Sequence, residues 1–255
     1  MKVDYHLHSI FSDDSREPMQ RMCARAAELG IAEICFTEHL DFDALSLGYY
    51  KPQAYFDELE RLREVFDGKL IIRAGLEISE PHDHKKELEE AQGRPYDFIM
   101  GAMHYWMGGI FPSIMRDRKM DVKRCCAAYW REMRKMAACG GFDCVAHFDF
   151  PIRFFKRIEY LEDEIDEIFA LLIKNGILLE LNTSSMRRGL PEPMPGQALL
   201  RRYVACGGKH VTVGSDAHNV DDIYVGVKEA RALAEGLGLQ VVRFEGRKIL
   251  TEDKM

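Results

Sequence analysis

Apolar residues recur along the chain in two alternating patterns, which predict strands that are each followed by a helix. Short runs rich in Val, Ile, Leu, Phe and Ala predict strands near residues 2–8, 32–37, 69–77, 97–104, 143–147, 177–182 and 210–215. Helical spacing follows near residues 18–29, 53–67, 83–92, 121–139, 161–175, 196–206 and 221–236. A short last strand is predicted at residues 241–244.

This alternation predicts an α/β fold with a parallel sheet that is covered by helices. Residues 177–182 form a nearly continuous apolar run, which is typical of a parallel strand buried on both faces. The longest stretches without a predicted element, 105–120 and 183–195, directly follow strand ends. No linker, repeat or low-complexity segment interrupts the pattern, so residues 1–255 are expected to form a single domain.

Composition limits the classes of partner. With 47% hydrophobic residues the chain can bury a large core, and no stretch approaches the roughly 20 apolar residues of a membrane span. The net charge of −7 argues against nucleic-acid binding, but a small phosphorylated substrate stays compatible with it. Seven cysteines without CxxC spacing, and an N-terminus that runs directly into a strand, favour a cytoplasmic protein with reduced thiols and no signal peptide.

Residues of metal-ligand type are concentrated at the ends of the predicted strands. These are His6, His8, His39, Glu77, His104, His147, Asp216 and His218. Imidazoles and carboxylates are ligands of Zn, Mn and Fe. An open doubly wound sheet binds ligands at one switch point, whereas closure into a barrel brings the ends of all its strands to one mouth. We therefore predict a barrel that holds several metal ions.

Some of these residues have more than one interpretation. Glu77 is the only carboxylate in a strand that is otherwise apolar apart from Arg73, so it needs a compensating cation, either metal ions or an arginine. Asp13 and Asp14 either form an Asx turn before the helix at Pro18 or supply a metal ligand near the first strand. The three remaining histidines are left out of the site. His82 and His84 lie in a polar loop, where we expect them to be solvated, and His210 begins its strand.

Arginines follow two of the strand ends. Arg153 comes after the strand of His147, and Arg187 follows the sixth strand. Arginine in a loop beside a metal site suits a phosphate or a carboxylate, through bidentate hydrogen bonds. Arg157 and Arg188 fit ordinary surface positions.

Taken together, the motifs resemble the PHP (polymerase and histidinol phosphatase) superfamily, over about residues 2–236. The pattern consists of an N-terminal HxH, a Thr-Glu-His, a strand glutamate, two later strand-end histidines and a terminal Ser-Asp-Ala-His. The segments FSDDS, FTEHLDFD, GAMH, HFDFPIRF, LELNTSS and TVGSDAH resemble the stand-alone histidinol-phosphate phosphatases. This resemblance implies a distorted TIM-like (β/α)7 barrel with two or three divalent metal ions, which are Zn, Mn or Fe.

The resemblance also implies a role for each residue. One metal ion would be held by His6, His8, Glu77 and Asp216; a second by Glu77, His104 and His147; a third by His39 and His218, with Asp14 as the best positional match for its remaining ligand. Arg153 and Arg187 match arginines that contact phosphate. The chain departs from the pattern at Glu38, where many members have Asp, and at Pro151, before Arg153.

The implied activity is hydrolysis of a phosphate monoester, with histidinol phosphate giving histidinol and phosphate in histidine biosynthesis. Hydroxide supplied by adjacent metal ions would attack phosphorus, and Asp216 or His218 would manage the proton for the leaving alkoxide. Candidates for reading the leaving group are Glu38, Tyr105, Trp106 and Asp149. Alternatives are a phosphatase of a sugar phosphate or nucleotide, a phosphodiesterase or nuclease, and a non-catalytic metal-binding module. Neither the metal nor the oligomeric state is indicated by the sequence.

Overall fold

In a computed structural model, which describes residues 1–250, the predicted strands pair in chain order as one parallel sheet. Its strands are β1 Val3–Leu7, β2 Glu33–Leu40, β3 Ile71–Ser79, β4 Phe98–Ala102, β5 Cys144–Val145, β6 Leu178–Asn182, β7 His210–Gly214 and β8 Gln240–Val241. A two-stranded antiparallel hairpin follows, formed by β9 Arg243–Glu245 and β10 Lys248–Leu250. The predicted strand at 241–244 is therefore divided between β8 and β9.

The sheet curls until the segment after β7 returns to β1. Leu7 and Ala217 form a parallel bridge, and the His8 amide donates to the Ala217 carbonyl at 2.9 Å. The Asp216 amide donates to the His6 carbonyl at 2.8 Å, so both residues after β7 are tied to the first strand. The fold is a distorted TIM-like barrel, and the predicted fold class is confirmed.

Helices surround the sheet, and the seven predicted ones are all present. The helices are α1 Met19–Glu28, α2 Pro52–Val65, α3 Lys85–Gln92, α4 Pro112–Asp117, α5 Val122–Cys139, α6 Ile152–Phe155, α7 Glu162–Lys174, α8 Ser184–Arg187, α9 Gln197–Ala205 and α10 Val227–Gly236. The short helices α4 and α8 lie in the two stretches predicted to lack regular structure. The last helix begins at Val227 rather than near residue 221. None of the helices in residues 1–250 is long and apolar enough to cross a membrane.

The local sequence explains why these helices form and what they bury. Pro52 begins α2, where its missing N–H costs nothing, and the Asp121 side chain caps α5 by accepting from the Arg124 amide at 3.1 Å. Residues three and four apart on α5, such as Tyr129 and Met133, are fully buried against the sheet. The candidate ligands lie at the carboxyl ends of the strands, where residues that follow β4, β5 and β7 line a cleft.

The opposite end of the barrel is closed by ion pairs. Glu33 is fully buried and receives Arg73 Nε at 3.0 Å, Arg243 Nη1 at 2.6 Å and a hydrogen bond from the Tyr5 hydroxyl. Arg243 belongs to β9, so these contacts attach the hairpin to the barrel. Because Arg73 is bound here, it does not serve as the partner of Glu77.

Candidate metal centre

Glu77 lies near the carboxyl end of β3, and its carboxylate is the point on which five imidazoles converge. Its side chain is fully buried, and the register of β2 with β3 places His39 directly beside it. The imidazole nitrogens near its oxygens are His147 Nε2 at 2.9 Å, His6 Nε2 and His39 Nδ1 at 3.1 Å, and His8 Nε2 and His104 Nε2 at 3.5 Å. Residues far apart in the sequence thus meet at one mouth of the barrel.

A second carboxylate, Asp216, faces the same rings from the segment after β7. Its Oδ1 lies 3.5 Å from His8 Nε2 and 3.7 Å from His6 Nε2. The His8 ring stacks between those of His39 and His218, with centroids 4.1 Å and 4.2 Å away. The eight strand-end residues predicted from the sequence are therefore brought together.

Asp14, rather than Asp13, reaches this group of rings. Its Oδ1 lies 3.5 Å from His39 Nε2 and its Oδ2 lies 3.0 Å from His218 Nε2. Asp13 is turned towards the segment after β2, where its Oδ2 accepts a hydrogen bond from Ser46 Oγ at 2.6 Å. The distances favour Asp14 as the acidic neighbour of the outer histidines.

The donor atoms fit a group of metal ions. His8 Nε2, His39 Nδ1 and His218 Nε2 are buried, yet within residues 1–250 none of them has a partner in hydrogen-bonding geometry. In the same part of the chain, no lysine or arginine contacts Glu77. Three sets of ligand atoms lie within 4.8 Å of one another: His6–His8–Asp216, His8–His39–His218 and His39–Glu77–His104. Buried imidazole nitrogens and carboxylate oxygens that converge on one point, with several of the nitrogens lacking a hydrogen bond, suit divalent cations.

The pKa shifts of the buried histidines and carboxylates are also consistent with a site for divalent cations. Burial alone would lower the pKa of His6, but the carboxylates of Glu180 and Glu77 hold it well above its ordinary value. Burial would raise the pKa of Glu77, yet His6 and His39 hold it well below its usual range. Burial and the neighbouring rings lower the pKa of His8. The buried negative charge is thus balanced by positive charge on the rings, a role that a divalent cation also fills.

Carboxylates and hydroxyls behind the rings fix their orientation. Glu180 Oε1 lies 2.6 Å from His6 Nδ1, and Ser12 Oγ lies 3.0 Å from His8 Nδ1. His104 Nδ1 is held by Ser79 Oγ at 2.8 Å and by Asp41 Oδ1 at 3.3 Å. Such partners set which ring nitrogen faces the metal side.

Sequence reasoning missed these orienting residues, although a signal for Glu180 was present. Like Glu77, Glu180 is the only carboxylate of a largely apolar strand, and it is fully buried. The same argument that a buried strand carboxylate needs a partner applies to both. Asp41 and Ser79 carry no comparable signal, because polar residues are ordinary near strand ends.

The backbone at two of the strand ends is strained. His147 and Asp216 adopt φ values of 30° and 56°, in the left-handed region that side chains with a Cβ avoid. Gly214, which ends β7, has no room for a side chain, because an added Cβ would meet His6 Cβ and Glu180 Oε1. Strain at the site and close packing beneath it both serve to aim Asp216 at the rings.

A cleft of about 640 Å³ lies over the cluster. Its lining includes the candidate ligands Asp14, His39, His104, His147, Asp216 and His218, the arginines Arg153, Arg187 and Arg188, and the aromatic rings of Tyr105, Phe111 and Phe150. Arg153 Nη2 donates to Asp216 Oδ2 at 2.6 Å and to the Ser184 hydroxyl. Both arginines predicted at the site thus lie at the mouth of the barrel, and Arg188, predicted on the surface, joins them.

A family model for the PHP domain matches residues 4–184, which is more than half of the chain. The chain belongs to the PHP family. The matched range includes β1 to β6 and all the candidate ligands except those after β7.

Curated relatives match almost the whole length of the chain. The histidinol-phosphatase of Lactococcus lactis subsp. lactis (strain IL1403) is 30% identical over 268 residues, covering 97% of this chain and 96% of the relative. A "Probable histidinol-phosphatase" of Thermotoga maritima is 27% identical over 253 residues, covering 98% of both. The resemblance deduced from the motifs is therefore confirmed.

A solved structure shares the fold. The crystal structure of the histidinol phosphate phosphatase from Lactococcus lactis, complexed with Zn, L-histidinol and phosphate, superimposes with a TM-score of 0.82. The superposition covers 98% of this PHP domain and 99% of that chain, at 24% sequence identity. The comparison supports the barrel and its strand order.

Only one of the four candidates for reading the leaving group lines the cleft of this PHP domain. Tyr105 does so, whereas Trp106 is buried with its Nε1 donating to the Cys125 carbonyl at 3.0 Å. Glu38 is fully buried and accepts from Ser9 and Ser12. Asp149 is also buried, and accepts from the Gly196 amide at 3.3 Å.

The three histidines left out of the site lie away from the cleft. His82 Nε2 lies 3.3 Å from Glu132 Oε2, and its side chain is only 5% exposed, so the expectation of a solvated loop residue is wrong for it. The His84 ring stacks on Phe42 with centroids 3.6 Å apart. His210 begins β7, at the opposite end of the barrel.

Proposed function

We propose that this PHP domain is a metal-dependent phosphate monoester hydrolase that converts histidinol phosphate to histidinol and phosphate. The observation that carries the proposal is the convergence of five imidazoles on the buried Glu77 carboxylate, at the floor of a cleft with arginines on its rim. The substrate is supported by the names of the relatives, and by the L-histidinol and phosphate in the Lactococcus lactis structure. This reaction would place the protein in histidine biosynthesis.

We assign the ligands of two or three divalent ions as the resemblance implies. The proposed sets are His6, His8, Glu77 and Asp216 for one ion, Glu77, His104 and His147 for another, and Asp14, His39 and His218 for the third. Zinc is favoured among Zn, Mn and Fe because the Lactococcus lactis structure contains it. The mixed nitrogen and oxygen donors suit all three metals.

Bound metal ions would lower the pKa of a water and neutralise charge on the phosphoryl oxygens. The residues of the chain position the ester for this chemistry. Arg153 and Arg187 present guanidinium groups to the cleft, and their forked donors match the oxygens of a phosphate. Asp216 and His218 are the proposed proton-managing pair, since both line the cleft and His218 Nδ1 lies 3.6 Å from Asp216 Oδ1.

The cleft also suits a small leaving group. Tyr105, Phe111 and Phe150 form an aromatic wall, on which a flat ring such as imidazole can pack. A volume of about 640 Å³ lies in the range of small-molecule sites. The net charge of −7 disfavours the nuclease alternative, because binding to a nucleic acid needs a basic surface.

Two further expectations stay proposals. We propose that residues 1–255 form one domain, which is supported by a buried core continuous across the sheet and helices of residues 1–250. We also propose a cytoplasmic location, which is supported by seven cysteines that form no disulfide in that range.

The first test measures phosphate release from L-histidinol phosphate by the purified, metal-loaded protein, beside sugar phosphates, nucleotides and a diester. We expect kcat/KM for histidinol phosphate to exceed that for the other esters by about tenfold or more, because a cleft built for one leaving group leaves polar groups unpaired with another. Equal or higher activity on another monoester would refute the substrate while keeping the reaction.

A matched pair of histidine variants tests the centre itself. His8→Ala is expected to remove metal and activity while leaving the barrel folded, since His8 contacts both Glu77 and Asp216. His84→Ala, outside the cleft, is expected to retain both. Metal content by mass spectrometry, activity and circular dichroism are compared. Full metal content in His8→Ala would contradict the ligand assignment.

A further inference from the structure

Three guanidinium groups line the same side of the cleft, but they differ in how many hydrogen bonds and ion pairs they make with the rest of the protein. They follow β5 and β6, and are Arg153, Arg187 and Arg188. Two of them hold the strained segment that carries Asp216. The third lines the cleft and makes no hydrogen bond to that segment.

The contacts of the first two are made with the segment after β7. Arg153 Nη2 binds Asp216 Oδ2 at 2.6 Å. Arg187 donates from Nη1 to the Ser215 carbonyl at 2.6 Å and from Nη2 to the Asp216 carbonyl at 3.0 Å, and its Nε lies 3.2 Å from Asp222 Oδ1. A guanidinium has five N–H donors, so three of those of Arg187 are occupied by the protein itself.

The Arg188 guanidinium, in contrast, lines the cleft and makes no hydrogen bond or ion pair with any group in residues 1–250. Its backbone is nevertheless held in place: the Arg188 amide donates to the Ser185 carbonyl at 3.0 Å, and Lys156 Nζ donates to the Arg188 carbonyl at 3.4 Å. Asn182 Oδ1 accepts from the Ser184 amide at 3.0 Å and so fixes the start of α8. The side chain is thus presented by a fixed backbone with all five donors available.

The charges at this side of the cleft are not balanced. Asp216 pairs with Arg153 and Asp222 pairs with Arg187, which leaves the third cation without a carboxylate. Arg188 is exposed at the rim of the cleft, and partial desolvation together with the neighbouring Arg153 lowers the pKa of its guanidinium. Excess positive charge in a confined cleft attracts an anion.

We propose that Arg188 binds the phosphoryl group of the substrate, as a phosphate-binding residue in addition to Arg153 and Arg187. The inference rests on the proposed function, because it names a further residue of the same site. Arg188 can offer a complete bidentate fork, whereas Arg187 keeps only the two donors that Ser215, Asp216 and Asp222 leave free. Arg188 therefore contributes to binding the phosphate in substrate and product alike.

The test compares Arg188→Ala and Arg188→Lys with Arg157→Ala. Arg157 is the matched control, because it is likewise an exposed arginine near the mouth of the barrel, but it is not part of the cleft lining and lies 3.6 Å from Glu159 Oε1. For each metal-loaded variant, KM and kcat are measured with histidinol phosphate and with p-nitrophenyl phosphate. The dissociation constant of inorganic phosphate is measured by calorimetry, and metal content is determined.

Arg188→Ala is expected to raise KM and the phosphate dissociation constant about tenfold or more, because the variant loses the charged hydrogen bonds from the guanidinium to the phosphate. The value of kcat is expected to change little, because the interaction with the phosphoryl group is lost equally in the ground state and in the transition state. The metal content is expected to change little, because Arg188 is not among the proposed ligands. Arg188→Lys should fall between, as it keeps the charge and loses the fork. Arg157→Ala should match the unchanged protein.

Several results would overturn the inference. The first is that Arg188→Ala binds phosphate as tightly as Arg157→Ala does. The second is that Arg188→Ala loses its metal. The third is that the wild-type protein binds no phosphate. If histidinol phosphate is no substrate but inorganic phosphate binds more weakly to Arg188→Ala, the inference on Arg188 stands and the substrate proposal falls.

Discussion

Glu180 shows how much of the centre depends on a residue that touches no metal site directly. Its carboxylate binds His6 Nδ1 at 2.6 Å, the His147 amide at 2.9 Å and Asn182 Nδ2 at 3.1 Å. It therefore orients His6, on β1, and fixes the strained backbone of His147, after β5. One buried side chain thus aligns two proposed ligands from different strands.

We expect Glu180→Gln to weaken metal binding about 10- to 100-fold, the usual cost of removing a partner that orients a ligating histidine. The amide keeps the shape but loses the charge that holds the His6 ring. The matched control is Glu60→Gln, on the exposed face of α2. Competition with a chelator of known affinity measures the effect, and equal affinities in the two variants would rule out the orienting role.

The sequence was informative about residues wherever one charge interrupts a buried apolar strand. Glu77 was found by that argument, and Glu180 was open to it. The partners in loops were not, because Asp41 and Ser79 gain their meaning only from the fold that places them against His104. Arg188 is exposed, as predicted for a surface arginine, but its position at the rim of the cleft became visible only in the fold, since adjacent arginines look alike until the direction of each side chain is known.

At the scale of elements, the site depends on how closely β7 approaches β1. Gly214 makes this approach possible, because any Cβ there would meet His6 and Glu180. Pushing the strands apart would move His6, Glu180 and Asp216 together.

Gly214→Ala is expected to lower the free energy of unfolding by about 1–3 kcal/mol, the cost of overpacking, and to weaken metal binding. Gly236→Ala is its opposite: Gly236 ends α10 with open space around it, so the change should raise stability by up to about 1 kcal/mol. Denaturant unfolding of both proteins tests this. Equal stability of Gly214→Ala and the unchanged protein would contradict the account of strand packing.

The regular elements followed from periodicity because burial dictates it over many residues. All seven predicted strands and seven predicted helices were found. The short helices α4, α6 and α8 were missed, since four to six residues carry too little periodic signal and contacts outside the helix stabilise them. For α8 one such contact is the hydrogen bond from the Ser185 hydroxyl to the Glu192 carbonyl at 2.7 Å.

At the scale of the whole molecule, the barrel is closed by contacts that the local sequence patterns did not predict. Asp4 is fully buried in β1 and accepts from the amides of Ser215 and Tyr224 at 2.8 Å and 2.9 Å. The number of strand-end ligands predicted closure, but the residues that join first strand to last were visible only in three dimensions.

Removal of metal is expected to lower the thermal stability of the entire fold, because the proposed ligands come from six strand ends. Each ion at about a hundredfold excess over its dissociation constant contributes about 3 kcal/mol. For a chain of this size, each kcal/mol corresponds to roughly 2–4 °C in Tm. Calorimetry with and without chelator measures the shift, and His8→Ala should respond less. An unchanged Tm would refute a metal-linked fold.

The distance along the chain between the proposed ligands also governs when the centre can form in a living cell. His6 Nε2 and Asp216 Oδ1 lie 3.7 Å apart in space, although His6 is on the first strand and Asp216 follows the seventh. At about 5–20 residues per second, a ribosome needs roughly 10–40 seconds to add the residues between them. His6 and His8 are therefore made long before their partners, and a nascent chain that captures a metal ion early holds it with two ligands alone. Loading of the complete centre is thus a late event of biosynthesis, which follows the making of the barrel.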